Sequence, residues 1–386
     1  MAERKQNRTP FYGCIPSDNS EMLRILNELN NKFSTNNLRF IQTITRLGLA
    51  DKFLKVRDQI TIPINGVPYK WDVIGIDIDT PADTNYTHSV TLQLHDCYKE
   101  LQFDAREALF TFPSGLEAGD YNFTCTFHTW NAENVGKTFT FTLAEAIPEN
   151  GQIVLQTAYD GLIAGSTLKT FASSTATTEI ETATISEGTT GTSLGDVDNS
   201  LGTHRNSLQR ALLGSNNYAE SALRQWLNSD KAAGEVWAPK TEYDRPPSWV
   251  STTAGFLNGM DADLISSVGK VVKRTALNTV TDGGGATETE ETFFLLSRSE
   301  VYGGNEVTGG EGQAYPYYSD YSDLSAAGTG ADANRIKYRN GVAKYWWLRS
   351  PTASYASGVR SVYASGNVYS YGAHGTHGVA PACCII

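Results

Sequence analysis

The chain has 386 residues, 40% of them hydrophobic and only 19% charged, with 35 glycines and 19 tyrosines. That length suits two or three domains with sizeable cores, and the composition suits a β-rich protein with an aromatic, Gly/Ser/Thr-rich surface. A formal charge of −11 argues against a nucleic-acid partner, which needs a basic surface, and against an anionic-membrane partner.

No apolar run approaches the ~18 residues of a membrane span. The polar opening, Met1 to Arg8, has no apolar core after it, so no secretory signal is expected. The expected location is a virion (a phage tail) or the cell exterior, reached without a signal peptide, for example through lysis. Within residues 1–48, Met22, Ile25, Leu26, Leu29 and Phe33 recur at three- and four-residue spacing, which predicts an amphipathic helix. Its apolar face either packs on its own domain or serves attachment, including a homo-oligomer. Residues 49–103 predict strands: Gln59 to Ile78 alternates around an Asn65-Gly66 hairpin turn, and a further strand covers Ser89–His95. Residues 104–200 predict a small all-β, sandwich-like module. Tyr121–Phe127 and Lys137–Leu143 alternate strictly, Gly151–Gln156 continues the sheet, and a further strand is predicted at Glu179–Ile185. The Ser/Thr/Gly-rich stretch over 172–195 reads as a connection.

Residues 201–386 form a third zone. Tyr218–Asn228 predicts a helix with Ala219, Leu223, Trp226 and Leu227 on one face, Ala262–Val268 a second helix, and Phe293–Leu296 a buried strand. A Gly/Ser/Tyr/Asp-rich loop runs from Tyr302 to Asp332. The cysteines, Cys14, Cys97, Cys125, Cys383 and Cys384, form no CxxC pair and no zinc spacing; they read as buried structural thiols. Gly283-Gly284-Gly285 and the glycines after Gly309 read as turns rather than phosphate loops.

Four segments occur in order: Arg224-Gln-Trp-Leu-Asn, Phe294-Leu-Leu-Ser-Arg-Ser-Glu-Val, Tyr345-Trp-Trp-Leu-Arg-Ser-Pro and Gly378-Val-Ala-Pro-Ala. With Tyr69-Lys-Trp-Asp-Val-Ile-Gly ahead of them, they resemble the C-type-lectin-fold variable proteins of diversity-generating retroelements, found in gut bacteria and their phages and related to the formylglycine-generating-enzyme-like lectin fold. The resemblance covers roughly 49–103 and 201–386. It implies an α+β fold: a C-type lectin domain split by the inserted β module at 104–200 and preceded by the N-terminal helix.

That resemblance also implies a variable region at about 352–378. Such retroelements mutate template adenines, typically in AAY codons, and the resulting NNY codons cannot encode Lys, Glu, Gln, Met or Trp. The 27 residues from Thr352 to Gly378 contain none of those five. Ala353, Ala356, Val359, Arg360, Val362, Val368 and Val379 read as a retained frame. Between them the candidate variable, ligand-binding positions are Ser354, Tyr355, Ser357, Gly358, Ser361, Tyr363, Asn367, Tyr369, Ser370, Tyr371, Gly372, His374, Gly375 and His377, expected as exposed side chains. Tyr offers large contact area at low entropy cost and Ser, Gly and Asn adaptable hydrogen bonding, as in antibody loops. Trp346, Trp347, Leu348 and Pro351 are the expected support beneath them. A plain Tyr/Ser/Gly hairpin region without variation is the alternative.

Enzymatic constellations are not evident, and no cofactor or metal is expected. His374 and His377 lack a carboxylate in their segment to complete a metal site. Glu311, Asp320, Asp323 and Asp332 read as solvated loop carboxylates rather than calcium ligands. A formylglycine-oxidase-like enzyme would need reactive cysteines, and Cys383-Cys384 sits in an apolar stretch. The resemblance therefore implies a non-enzymatic phage receptor-binding or tail-associated protein, with a host cell-surface protein or glycan and other virion proteins as partners. A non-diversified bacterial surface adhesin or structural module of the same fold is the alternative.

Overall fold

The computed structural model describes residues 38–106, 213–240, 246–319 and 333–386, with isolated residues such as Arg24 and Arg210 and short stretches between 110 and 193. The helix expected over Met22–Phe33 lies, apart from Arg24, outside the described residues.

Helix α1 (Leu38–Arg46) buries Leu38, Phe40, Ile41 and Ile44, an i, i+3, i+6 stripe on one face. A second short helix, α2 (Ala50–Phe53), follows. Within the segment expected over 1–48, the side chains of Leu38, Phe40, Ile41 and Ile44 belong to the main core cluster. Strand β1 (Gln59–Ile64) alternates exposed and buried residues, with Ile60, Ile62 and Ile64 inward, as a strand covered on one face does. It pairs with β2 (Val67–Ile76) across Asn65 and Gly66. Both turn residues have left-handed φ, 52° and 74°, the backbone an Asn-Gly hairpin requires. β3 (Val90–Leu94) is buried throughout, and β4 (Lys99–Gln102) follows.

The next strands are β5 (Phe110–Phe112), β6 (Gly119–Thr124), β7 (Thr138–Leu143), β8 (Gly151–Leu155), β9 (Thr167–Phe171), β10 (Glu179–Ser186) and β11 (Thr192–Ser193). They form a seven-stranded sheet in the order β11-β6-β7-β10-β9-β8-β5, paired only with one another among the described residues. The flanking chain ends meet. The Leu223 amide donates to the Phe103 carbonyl, and a Cβ on Gly214 would lie 2.7 Å from the Ala105 carbonyl oxygen.

Beyond them come α3 (Ala222–Leu227), α4 (Ala262–Ser267), β12 (Val268–Gly269), β13 (Val271–Ala276), β14 (Ala286–Glu291), β15 (Phe293–Phe294), α5 (Arg298–Tyr302) and α6 (Pro316–Ser319). The chain ends in β16 (Lys337–Arg339), β17 (Val342–Lys344), β18 (Trp346–Pro351), β19 (Gly358–Val362), β20 (Val368–Gly372), β21 (Thr376–Val379) and β22 (Ala382–Ile385). Two sheets join early and late chain. One runs β1-β2-β3-β22-β12 with β15 also on β22, and the other runs β20-β19-β18-β21-β4. The molecule is thus mixed α and β with mostly β content. Among the described residues no helix is long and apolar enough to cross a membrane.

The core falls into two clusters. One joins α1, β1–β3, α3 and Trp347. The other lies around Phe294, Leu296, Tyr315, Trp346 and Leu348. Adjacent Trp346 and Trp347 thereby feed opposite faces of β18, as strand alternation demands.

Candidate functional site

The segment 352–378 spans β19, β20 and most of β21. β19 and β20 pair antiparallel from Gly358↔Gly372 to Val362↔Val368. Side chains on paired residues share a face. Trp347, Ser361 and Tyr369 are therefore stacked in one row across β18, β19 and β20, and Tyr345, Tyr363 and Tyr371 extend that face.

The rings on it touch. Tyr363 and Tyr369 stack at 4.4 Å between centroids, and Tyr345 lies 4.5 Å from Tyr363. His377 stacks on Trp347 at 4.1 Å, with Tyr371 at 5.0 Å and Tyr345 edge-on at 5.5 Å. Trp347 is the floor: it is fully buried, and its Nε1–H donates to the Leu101 carbonyl of β4 at 2.9 Å. Tyr345, Tyr369 and Tyr371 are the exposed rims, each 36–40% accessible. Burial pushes the His377 and His374 imidazoles down to about 4, so both are neutral at pH 7.

Beneath this face lies a buried ionic network that holds β18. Arg349 donates to both oxygens of Glu300, at 2.5 and 3.0 Å, and to the Leu295 and Glu311 carbonyls. Glu300 closes the capping box of α5 with Ser297 and also accepts from Lys273 at 3.0 Å. Lys273 in turn bonds Asp79, which accepts from Tyr315 at 2.7 Å and Thr91 at 2.5 Å. Burial alone would raise the Glu300 and Asp79 carboxyls. The adjacent cations, Arg349 and Lys273 for Glu300 and Lys273 for Asp79, outweigh it and hold both below the usual range.

This network accounts for two of the sequence segments. The Ser297 to Glu300 spacing is the capping box, and Arg349 in Tyr345-Trp-Trp-Leu-Arg is its ion partner. A third segment is built likewise. Arg224 pairs with buried Glu291 at 2.5 Å, and Asn228 bonds Glu291 and the Phe293 carbonyl. In the fourth, Gly378 is obligatory because a Cβ there would lie 2.4 Å from Cys97 Sγ.

The loop from Thr352 to Ser357 is pinned from outside. Asn216 donates to the Tyr355 and Gly358 carbonyls, and Thr279 Oγ1 donates to that of Ala353. Glu306 accepts from Arg360 at 2.6 Å, Arg298 at 2.7 Å and the Ala353 amide at 3.3 Å.

The candidate positions do not all face solvent, which corrects the expectation of exposed side chains. Ser354, Tyr369 and Tyr371 are exposed; Tyr355, Tyr363, Asn367, Ser370, His374 and Gly375 are half-buried; Ser357, Gly358, Ser361, Gly372 and His377 are buried. The paired glycines are hemmed in, since a Cβ on Gly358 would meet Ser370 Oγ at 2.8 Å and one on Gly372 His374 Nδ1 at 2.9 Å. The polar atoms Ser357 Oγ, Ser361 Oγ, Asn367 Oδ1 and His377 Nδ1 are buried with no hydrogen-bond partner. Trp346, Trp347, Leu348 and Pro351 are all buried.

Other expectations resolve as follows. Glu311 is no solvated loop carboxylate: it is buried and accepts from Ser350 at 2.6 Å and the Ala276 amide at 3.0 Å, and burial raises its carboxyl. Asp320, Asp323 and Asp332 lie outside the described residues. No His/Cys/Asp/Glu group able to hold a metal occurs among the described residues. Cys97, Cys383 and Cys384 are buried free thiols; burial pushes Cys97 up to about 12 and the other two higher still. Cys14 and Cys125 fall outside the described residues.

Residues 197–386 match a family model described as "Domain of unknown function (DUF6273)". No curated protein matches the chain, and neither does any solved structure.

Proposed function

We propose that the chain is a non-enzymatic recognition protein. In this reading its C-type-lectin-like domain, split by the module over 104–200, displays 352–378 as a diversified binding surface on a phage tail or cell exterior. The domain would be assembled from 49–103 and 201–386, which share the β3–β22 and β4–β21 ladders.

The observation that carries the reading is how the fold uses 352–378. Its backbone is fixed by ladders and by Asn216, Thr279 and Glu306. Yet Ser357, Ser361, Asn367 and His377, all at candidate positions, bury polar atoms with no protein partner, four of the eleven such atoms among the described residues within 27 residues of chain. Native cores rarely leave such atoms unpaired. A segment whose side chains change while its backbone is kept has no means of optimising each one. The exposed Tyr345, Tyr369 and Tyr371, with half-buried Tyr363 stacked between them, supply the rigid aromatic contact area that recognition surfaces favour.

Deep sequencing of the gene's 3′ end across a natural population tests this. Substitutions confined to adenine-derived positions within 352–378, sparing Trp346, Trp347 and Arg349, are expected. Variation spread evenly over the gene, or none, would overturn it.

A further inference from the structure

The Lys273 amine is buried and bonded to two carboxyls. Its Nζ donates to Asp79 Oδ1 and, at 3.0 Å, to Glu300 Oε1, and the Lys273, Asp79 and Glu300 side chains are 2%, 8% and 2% exposed. The buried Phe294 ring lies 3.9 Å from the nitrogen, and Tyr315 OH accepts from it at 2.9 Å. Asp79 Oδ2 collects donors of its own: Thr91 Oγ1 at 2.5 Å, Tyr315 OH at 2.7 Å and Cys384 Sγ at 3.4 Å. Lys337, just as buried, donates instead to the Leu94 and His95 carbonyls.

These are the parts of an amide-forming centre. An amine and a carboxyl held in contact react as one unit, at an effective concentration that no free pair reaches. Three donors at one carboxyl oxygen form a hole for the charge that develops there when the carbon is attacked. At rest Lys273 and Asp79 hold each other ionised. Burial penalises both charges, and one proton passed from Lys273 to Asp79 makes both groups neutral. Arg349 keeps Glu300 balanced during that transfer, through its two bonds to the carboxylate. The neutral pair is a minor state, which an irreversible step drains. Aromatic walls keep out the water that would hydrolyse the product.

We infer that Lys273 and Asp79 become joined by an isopeptide bond, which the folded chain makes by itself with Glu300 moving protons. The ammonium passes one proton to Oδ1. The freed amine lone pair attacks Cγ, and the carbonyl electrons move onto Oδ2, held by Thr91, Tyr315 and Cys384. Glu300, bonded to the same nitrogen, takes a second proton from it and delivers it to the Oδ1 hydroxyl. The Cγ–Oδ1 bond breaks, one water leaves, the Oδ2 carbonyl re-forms and the Nζ–Cγ bond remains. No oxidant, reductant or co-reactant enters the balance. The joined residues are 194 apart, one before and one after the seven-stranded sheet, so the bond ties 49–103 to 201–386 covalently. The unlinked pair is the salt bridge described above, with a carboxyl that titrates; the linked pair has none. The inference is independent of what the aromatic face binds.

Intact-mass spectrometry of the full chain, purified and held folded at neutral pH, tests this. The mass should settle one water below that of the unlinked sequence. Lys273→Arg keeps the cation but offers no nucleophile, and should keep its full mass. In a tryptic digest Trp71–Lys99 should appear joined to Val271–Arg274, uncut after Lys273. Where the variant does not fold, the joined peptides decide alone. A wild-type mass that stays at the sequence value after prolonged incubation overturns the proposal. So does a missing water that persists in Lys273→Arg, or one that maps to a cyclised aspartate elsewhere.

Discussion

Removing one charge from the Glu300–Arg349 pair strands the other in a site where both side chains are at most 2% exposed. Glu300→Gln should therefore cost about 3–5 kcal/mol in denaturant unfolding. Ser361→Ala should behave oppositely. Its hydroxyl bonds to nothing, so its loss should be neutral or stabilise by up to about 1 kcal/mol. Stability should also depend on acidity in two steps. His374 and His377 are held at about 4 against an ordinary 6.5, so the unfolded chain takes up protons first and stability declines as pH falls from 6.5 towards 4. Asp79 and Glu300 are held below the usual carboxylate range. Their contribution is complete above about pH 4, where unfolded carboxyls titrate, and is lost as pH falls further. Urea midpoints from pH 7 to pH 3 check both steps.

Among the elements, the loop leading into β19 depends on Glu306, which accepts from Arg298, Arg360 and the Ala353 amide together. Glu306→Gln should speed amide exchange across 352–360 by about tenfold without lowering global stability in proportion, because exchange there reports local opening. Much of the element plan was legible. Asn65-Gly66 set the β1–β2 hairpin through its left-handed backbone, strict alternation located β7 within a residue, and the strand expected at Glu179–Ile185 is β10. Helix α3 is shorter than the expected Tyr218–Asn228 because Ser221 caps it, its side chain accepting from the Arg224 amide. Helix α1 was missed because its apolar residues sit among Arg39, Gln42 and Thr43, and burial came from α4 and β22, partners remote in sequence. The site was legible in part. Period-2 tyrosines at 369 and 371 signal one face of a strand, but nothing local shows that Ser361 and His377 turn inward, since that depends on Trp347 from another strand. Glu311 looked like a loop carboxylate because its partners, Ser350 and Ala276, are far along the chain.

At the scale of the molecule, the chain ends that flank the seven-stranded sheet meet at Ala105 and Gly214. Loop-closure entropy grows only slowly with length. Replacing residues 107–209 with a short Gly/Ser linker should therefore leave the remainder folding cooperatively, with a urea midpoint close to that of the full chain. A remainder that unfolds without cooperativity would mean the seven-stranded sheet is required for the rest of the core.

β22 lies between β3 and β12 within its sheet and also carries β15, so three stretches of backbone that are distant in sequence converge on residues 382–385. On the ribosome this sheet cannot be completed until residue 385 has emerged, and most of its partners wait unpaired while 352–378 is being made. A chain truncated anywhere before residue 382 would lose this central strand and leave the edges of β3, β12 and β15 unsatisfied.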